Sequence, residues 1–336
     1  HYMQRCIELA LNGAGKVAPN PLVGCVIVHN GKVISEGFHP GYGRNHAERE
    51  AIKRLADRSL LKEATLYVNL EPCAHHGKTP PCADLIIESG IPEVVIGTED
   101  PFAKVDGKGI QKLKAAGVRV RSGIEQEACR FLNRRFFTYH EQKRPYIILK
   151  WAQSADGFMA PADQPNREPH WITGKGSQTL VHRWRAEESA ILVGANTVLE
   201  DDPELTTRLV AGSNPTRIVI DPENKLPSED FRVFNNEVET IHLTRSGSDD
   251  NAVELPFTDP INEINNLLFE KGLLSFIVEG GAETIQHFIH AGVWDEARVF
   301  TGPEKLLNGL KAPTIPQHSD HRETIEDDIL NIYYRA

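Results

Sequence analysis

No stretch of the 336 residues approaches the ~18 consecutive apolar positions that a membrane-spanning helix requires. The first residues carry no basic-then-apolar leader either, so neither a membrane span nor a signal peptide is expected. The chain opens on His1 rather than Met, and residues upstream of it are expected to be missing. Positive charge is in short supply: 37 Lys and Arg face 47 Asp and Glu, a net charge of −10. That balance argues against broad binding to nucleic acid, which depends on cations neutralising phosphates. Cysteine is scarce and odd in number, five in all. With no secretory signal, this points to reduced thiols in a cytoplasmic setting rather than a disulfide framework. Hydrophobic residues at 40% and charged residues at 25% are close to the globular average and suggest neither disorder nor a fibre. A chain of this length suits two domains of ~100 to 200 residues.

What is present is a steady alternation of strand-like and helical runs, the pattern of α/β sheets covered by helices. "LVGCVIVHNGKVISEGF" reads as two strands joined at Asn30-Gly31, a pair suited to a turn needing positive φ twice. A helix from about His46 follows, then "ATLYVNL", a helix "ADLIIESG" closed by Gly90, "EVVIGT", a helix "KGIQKLKAAG" and "VRVRSG". One helical segment, "EQEACRFLNRRFFTYHEQ", leads to Pro145, which blocks helix continuation and sets a domain boundary near 140 to 145. Beyond it, "YIILKWAQS", "SAILVG", "TRIVID", "ETIHLT" and "LLSFIVE" read as strands, with helices around 175 to 188, 261 to 271 and 282 to 291. "TRSGSDDN" and "APADQPNREPH" read as loops.

The densest chemistry lies in "LEPCAHHGKTPPCADL", residues 70 to 85. Upstream, "GRNHAEREAI" offers His46 and Glu48 at a helix start. An HxE alone means little, and His321/Glu323 is a second copy. His46 followed by Pro72-Cys73 and Cys82 is in the order of the zinc deaminases, with the usual two-residue gap between cysteines stretched to eight. Three protein ligands leave one tetrahedral position open, and zinc lowers the pKa of a water held there from ~15.7 to ~7. Proton transfer to a ring nitrogen and a leaving amine then needs a carboxylate beside the metal, for which Glu48 is the candidate and Glu50 the substitute. At a first helical turn the entering backbone can aim both His46 and Glu48 inward, and the exposed N–H groups favour thiolate. The competing reading is a structural knot in which His75 or His76 completes a closed Cys/His site. Glu71 reads as loop support, and Cys6, Cys25 and Cys129 as buried packing residues.

"NPLVGCVI", "HAE", "LEPCAHHGKTPPC" and "DPFAKVDGKGIQKLKAAG" resemble the deaminase half of the bifunctional deaminase/reductase family of riboflavin biosynthesis. The resemblance covers nearly the whole chain. It implies a cytidine-deaminase-like three-layer α/β/α domain at 1–143 and a dihydrofolate-reductase-like α/β domain at 144–336. In the first domain it implies zinc on His46, Cys73 and Cys82, Glu48 as proton shuttle, and Asn20, His75 and Lys78 near the substrate. Asn20, which precedes a proline, could equally be a plain turn residue.

In the second half the strongest feature read from the residues alone is "LLSFIVEGGAETIQHFI", a strand, a glycine pair and a helix. Gly280 and Gly281 permit close approach of a ligand, and a helix N-terminus favours phosphate. The segment is not GxGxxG, and neither "NGAGKV" nor "HHGKTP" is a P-loop. Through "YIILKWAQSADG", "WITG", "RAEESAILVGANTVLEDDPELTTR", "RIVID" and "VEGGAETI" this half resembles the reductase domain of the same family. The resemblance implies NADPH near Ala152, Trp171, Thr197, Asp201, Pro222 and Gly281, and substrate near Lys150, Arg185, Leu205, Arg208 and Glu279. Two arginines suit a ribose phosphate, since guanidinium meets phosphate oxygens bidentately. Plainer readings stand beside these: Trp171 in the core, Arg185 in an exposed helix salt bridge, Asp201-Asp202 opening a turn at Pro203. Pro169 and His170 depart from the family pattern before Trp171.

The expected activity is zinc-dependent hydrolytic deamination of a diaminopyrimidine ribosyl phosphate, followed by NADPH-dependent reduction of the ribosyl to a ribityl chain. A deaminase with a non-catalytic second domain, or a zinc-stabilised binding protein, remains as the alternative. The expected partner is the small-molecule substrate, without nucleic acid or membrane, in a homo-oligomer.

Overall fold

A computed structural model describes residues 1–74, 80–102, 105–162, 170–247 and 252–335. The chain divides into two compact units, His1–Lys143 and Arg144–Ala336.

In the first unit, helix α1 (Tyr2–Ala10) precedes the hairpin β1 (Gly24–His29) and β2 (Lys32–Phe38). Asn30 and Gly31 at its turn both have positive φ, 50° and 73°. Helix α2 (Ala47–Arg54) leads to β3 (Thr65–Leu70), α3 (Cys82–Glu88), β4 (Glu93–Thr98), α4 (Lys108–Ala115) and β5 (Arg119–Arg121). The sheet order is β2-β1-β3-β4-β5, antiparallel on the hairpin side and parallel from β3 to β5. Because β3 and β4 are covered on both faces, they read as almost continuous apolar runs. One face packs Ile27, Leu66, Val68 and Ile96 against Ala51, Ile86 and Leu113 of α2, α3 and α4. The other packs Val26, Val28 and Val95 against Met3 and Cys6 of α1 and Cys129. The segment 125–142 is two helices, α5 (Gln126–Leu132) and α6 (Arg134–Gln142), rather than one. Asn133 breaks it at φ −101°, ψ 22°, and its side-chain amide turns inward to the backbone of Leu22.

The second unit is built on nine strands in the order β11-β10-β9-β8-β12-β6-β13-β16-β15. These are β6 (Tyr146–Gln153), β8 (Ala190–Gly194), β9 (Thr216–Ile220), β10 (Thr240–Thr244), β11 (Ala252–Glu254), β12 (Ser275–Val278) and β13 (Glu296–Thr301), all parallel, with β15 (His321–Ile325) and β16 (Asp328–Tyr334) antiparallel at one edge. Strands β7 (Phe158–Pro161) and β14 (Gly309–Lys311) form a separate pair. Helices α7 (Lys175–Glu187), α8 (Ala195–Asp201), α9 (Pro260–Glu270) and α10 (Ala282–Ala291) supply the connections. Cores lie on both faces of the sheet, one around Leu149, Leu192, Phe276 and Phe288 and the other around Ile148, Trp184, Val193 and Ile277. Parallel strands put all their carboxyl ends on one side of the sheet, where ligand crevices form. Among the described residues no helix is long and apolar enough to cross a membrane.

Candidate functional site

The first unit gathers His46, Cys73 and Cys82. Their donor atoms all lie within 4.8 Å of one another. His46 is the N-cap of α2, and its Nδ1 is 3.5 Å from both the Cys73 and Cys82 sulfurs. Cys82 is the first residue of α3, and its backbone N–H donates to the Cys73 Sγ at 3.3 Å. Cys73 follows the end of β3, where α4 presses on the chain. A Cβ at Gly109 would sit 2.0 Å from the Pro72 carbonyl oxygen, so only glycine admits this approach. Glu71 is the support expected of it, accepting backbone N–H bonds from Asp100, Gly107 and Ile110.

Glu48, on the first turn of α2, is 3% exposed. Burial pushes its carboxyl up, the neighbouring His46 works against that, and the Cys82 thiol bonds to it. Glu50 instead accepts from the Asn45 amide at 2.7 Å and lies 3.6 Å from Arg54. The bond from Cys82 brings the Cys73 thiol down to about 4, helped by His46, while the same contact and burial hold Cys82 well above a free thiol. One nitrogen and two sulfurs, one of them readily ionised, form the donor set zinc prefers. The second HxE pair, His321 and Glu323, is exposed on β15 with its side chains 3.9 Å apart.

Asn20 reaches the same place. Its amide is 3.1 Å from Nε2 of the buried His39, whose ring meets that of His46 edge-on at 5.3 Å. His39 Nδ1 is 2.9 Å from the Asn45 carbonyl oxygen, and burial pushes its pKa down. The backbone beside Asn20 is held by two buried amides: Asn133 bonds both the N–H and the C=O of Leu22, and Asn69 bonds the Leu22 C=O and the Gly24 N–H. Nothing in the residue pattern singled out His39, Asn69 or Asn133, since a lone His or Asn carries no spacing signal. His75 and Lys78, together with His76, lie outside the described residues.

The second unit gathers Lys150, Arg185 and Glu279. Lys150 projects from β6, Arg185 from the last turn of α7, and Glu279 follows β12. Glu279 accepts from Arg185 Nη2 at 2.7 Å, and Lys150 Nζ lies 3.9 Å away. Burial opposes its charge, but Arg185 and Lys150 together hold the carboxyl down at about 2. Arg185 is therefore paired in the interior rather than at the surface. Arg208 is anchored nearby by its backbone, whose N–H donates to His182 Nδ1 at 2.9 Å, while its guanidinium pairs with Glu204 at 2.7 Å. Burial first, then Arg185 and Arg208, lower His182 to about 4, so the ring is neutral at pH 7. Leu205 is 3% exposed in the core, with φ 56°.

A cavity of about 660 Å³ opens at the carboxyl ends of β8, β9 and β10 and the start of α10. Thr197, Pro222 and Gly281 line it. The glycine corner is tight: a Cβ at Gly280 would fall 2.8 Å from Thr197 Oγ1. Ala152, Trp171 and Asp201 do not line this cavity. Ala152 lies on β6, Asp201 closes α8, and Trp171 is 61% exposed rather than in the core. His170, beside it, pairs with Glu304 at 2.8 Å.

Residues 1–98 match the family model for the cytidine and deoxycytidylate deaminase zinc-binding region, and residues 145–330 match the RibD C-terminal domain. The riboflavin biosynthesis protein RibD of Aquifex aeolicus is 41% identical over 319 residues, which cover 92% of this chain and 88% of that protein. The chain belongs to the RibD family. RibD of Actinobacillus pleuropneumoniae is 39% identical over 330 residues, 93% of this chain and 85% of its own length. Among solved structures, the diaminohydroxyphosphoribosylaminopyrimidine deaminase/5-amino-6-(5-phosphoribosylamino)uracil reductase of Thermotoga maritima is 38% identical, with a TM-score of 0.89 over 100% of this chain and 98% of that one. Acinetobacter baumannii RibD is 30% identical, with a TM-score of 0.88 over the same shares. The protein is accordingly a bifunctional riboflavin-biosynthesis enzyme, a deaminase and a reductase, with zinc and NADPH as cofactors and a small molecule of that pathway as substrate.

Proposed function

We propose that residues 1–143 form the deaminase domain and residues 144–336 the reductase domain, with the chemistry divided between the two residue clusters described above. The substrate is 2,5-diamino-6-(ribosylamino)-4(3H)-pyrimidinone 5'-phosphate, and the final product is 5-amino-6-(5-phosphoribitylamino)uracil. His46, Cys73 and Cys82 hold zinc. Zinc supplies an acidified water at neutral pH. With zinc bound, Glu48 would be the group that moves protons, to the ring nitrogen and to the departing amine, as water adds to the ring carbon and ammonia leaves a carbonyl behind. Asn20, positioned against His39, orients the pyrimidine, with His75 and Lys78 completing the pocket. The buried Glu48 carboxyl, beside three convergent metal donors, carries this reading.

In the second domain bound NADPH would supply the hydride that reduces the ribosyl group. Thr197, Pro222 and Gly281 face the cofactor, with Ala152, Trp171 and Asp201 further along its site. Lys150, Arg185 and Arg208 present cations to the ribosyl phosphate, Glu279 fixes the first two, and Leu205 shapes the wall. The enzyme acts in the cytoplasm as a homo-oligomer, with no nucleic acid partner. The test is zinc content and ammonia release for the intact protein and for Glu48→Gln, followed by NADPH addition. Zinc retained without ammonia in the variant, and NADPH oxidation by the intact enzyme on its own product, is the expected result. Zinc without turnover in the intact protein would make the Cys73/Cys82 loop a structural staple.

A further inference from the structure

The cavity of the second unit has a direction. Lys150 on β6 and Glu279 after β12 mark one side, and the cavity runs away from them across the ends of β8, β9 and β10. From β12 to β10 is three strand intervals, roughly 14 Å at ~4.8 Å each. On the reading that the ribosyl phosphate is held by Lys150 and Arg185, a dinucleotide laid along these ends has its reacting ring on that side and its far nucleoside at β9 and β10.

That far end carries its own charge pattern. Most of the ionisable groups there are already matched. Asp221 pairs with the buried His242 at 3.2 Å and Glu223 with Lys225 at 2.6 Å, while Asp259 accepts only from the neutral Asn262 amide at 2.7 Å and Glu283 lines the cavity nearer α10. Arg245, just past β10, makes no ion pair within 4 Å among the described residues; its charge reaches Glu223 only at longer range, adding to Lys225 in holding that carboxyl down. Its guanidinium lies 5.9 Å from the centre of the Phe257 ring, and both residues line the cavity beside Ile261. An apolar wall beside a guanidinium that is free of any direct ion pair among the described residues suits a purine nucleoside bearing an extra phosphate.

We infer that Arg245 is the residue by which this enzyme selects NADPH over NADH, by taking the 2'-phosphate of the adenosine at the β10 end of the cavity. Lys225, tied to Glu223, adds little. The mapping uses the proposed placement of the reduction site, but the test does not depend on turnover. The intact zinc-loaded protein is titrated calorimetrically with 2',5'-ADP and with 5'-ADP, alongside Arg245→Ala, Arg245→Lys and Lys225→Ala. Arg245→Ala is expected to weaken 2',5'-ADP by ~10- to 100-fold, the loss of one charge-assisted contact, while 5'-ADP changes by less than about twofold. Arg245→Lys recovers part of the preference, and Lys225→Ala stays near the parent. Equal weakening of both ligands, or an unchanged ratio in Arg245→Ala, would overturn the inference while leaving the reductase reading intact. A parent protein that binds neither ligand nor NADPH would sink that reading itself.

Discussion

The two sites are assembled in different ways. In the first unit the metal donors come from chain positions at most 36 residues apart, each at a helix start or just past a strand, so local motif and local geometry coincide. In the second unit the buried ion cluster joins Arg185 to Glu279 across 94 residues and draws on β6, α7 and the end of β12. A short-range site writes a spacing into the sequence. A long-range site writes only residue types, and charged residues are common everywhere. The same contrast sets what each site tolerates: the first depends on metal to offset its clustered thiols, the second on one carboxylate, Glu279, shared by two cations.

The largest effect separating the two is expected from Glu48→Gln. Ammonia release should fall by at least ~10³-fold, the scale of a lost general acid/base, with zinc content unchanged. NADPH oxidation on supplied deaminated substrate should stay within about twofold of the parent, because the change lies in the other unit. A matching loss of reduction would show that the two activities do not separate as the two clusters do.

Glu279→Gln probes the opposite side. It leaves Lys150 and Arg185, 16% and 11% exposed, without their counter-charge. Breaking such a pair should lower the stability of the second unit by ~3 kcal/mol and abolish reduction, with deamination retained. Denaturant unfolding followed with the two activity assays checks this. A variant as stable as the parent would mean that solvent already screens the cluster.

These expectations track what was legible beforehand. The alternation of strands and helices in the first unit was readable because β3 and β4 are short apolar runs bounded by turn residues, and Asn30-Gly31 fixed the hairpin. The break at Asn133 was not, since "ACRFLNRRFF" is helical by pattern, and the residue leaves the helix for a tertiary partner, Leu22, that no local rule names. His46, Cys73 and Cys82 were legible from order and chemistry. Arg185, Lys150 and Glu279 were reachable only through family resemblance, and His39 and His182 not at all, because a buried neutral imidazole leaves no trace in spacing. The edge strand β15 escaped notice because its exposed, mostly polar residues give no apolar alternation.

Asn133→Ala sharpens the contrast from within the first unit. It removes both Asn133 bonds to Leu22, and because Asn69 still serves the C=O, the stranded Leu22 N–H alone should cost ~1 to 2 kcal/mol in stability. Asn20 then loses its register against His39. The expected result is a raised KM for deamination with zinc retained, measured by ammonia release against substrate concentration. A change confined to stability, with KM unmoved, would limit Asn133 to a packing role.

The smallest effect concerns His182. Burial and the Arg185 and Arg208 charges depress its pKa to about 4, against about 6.5 when unfolded. Between those values the unfolded chain binds the proton and the folded one does not, so this group's stabilising contribution is complete above pH 6.5 and is lost as pH falls towards 4. Its imidazole resonances should therefore hold their neutral positions from pH 7 to pH 5 in a proton-detected titration. His182→Gln should flatten the acid side of the thermal midpoint curve without altering it at pH 7.5. A ring that titrates near 6.5 would mean that water reaches it and that Arg208 is held by its other partners, Glu204 and Thr206, rather than by a neutral acceptor.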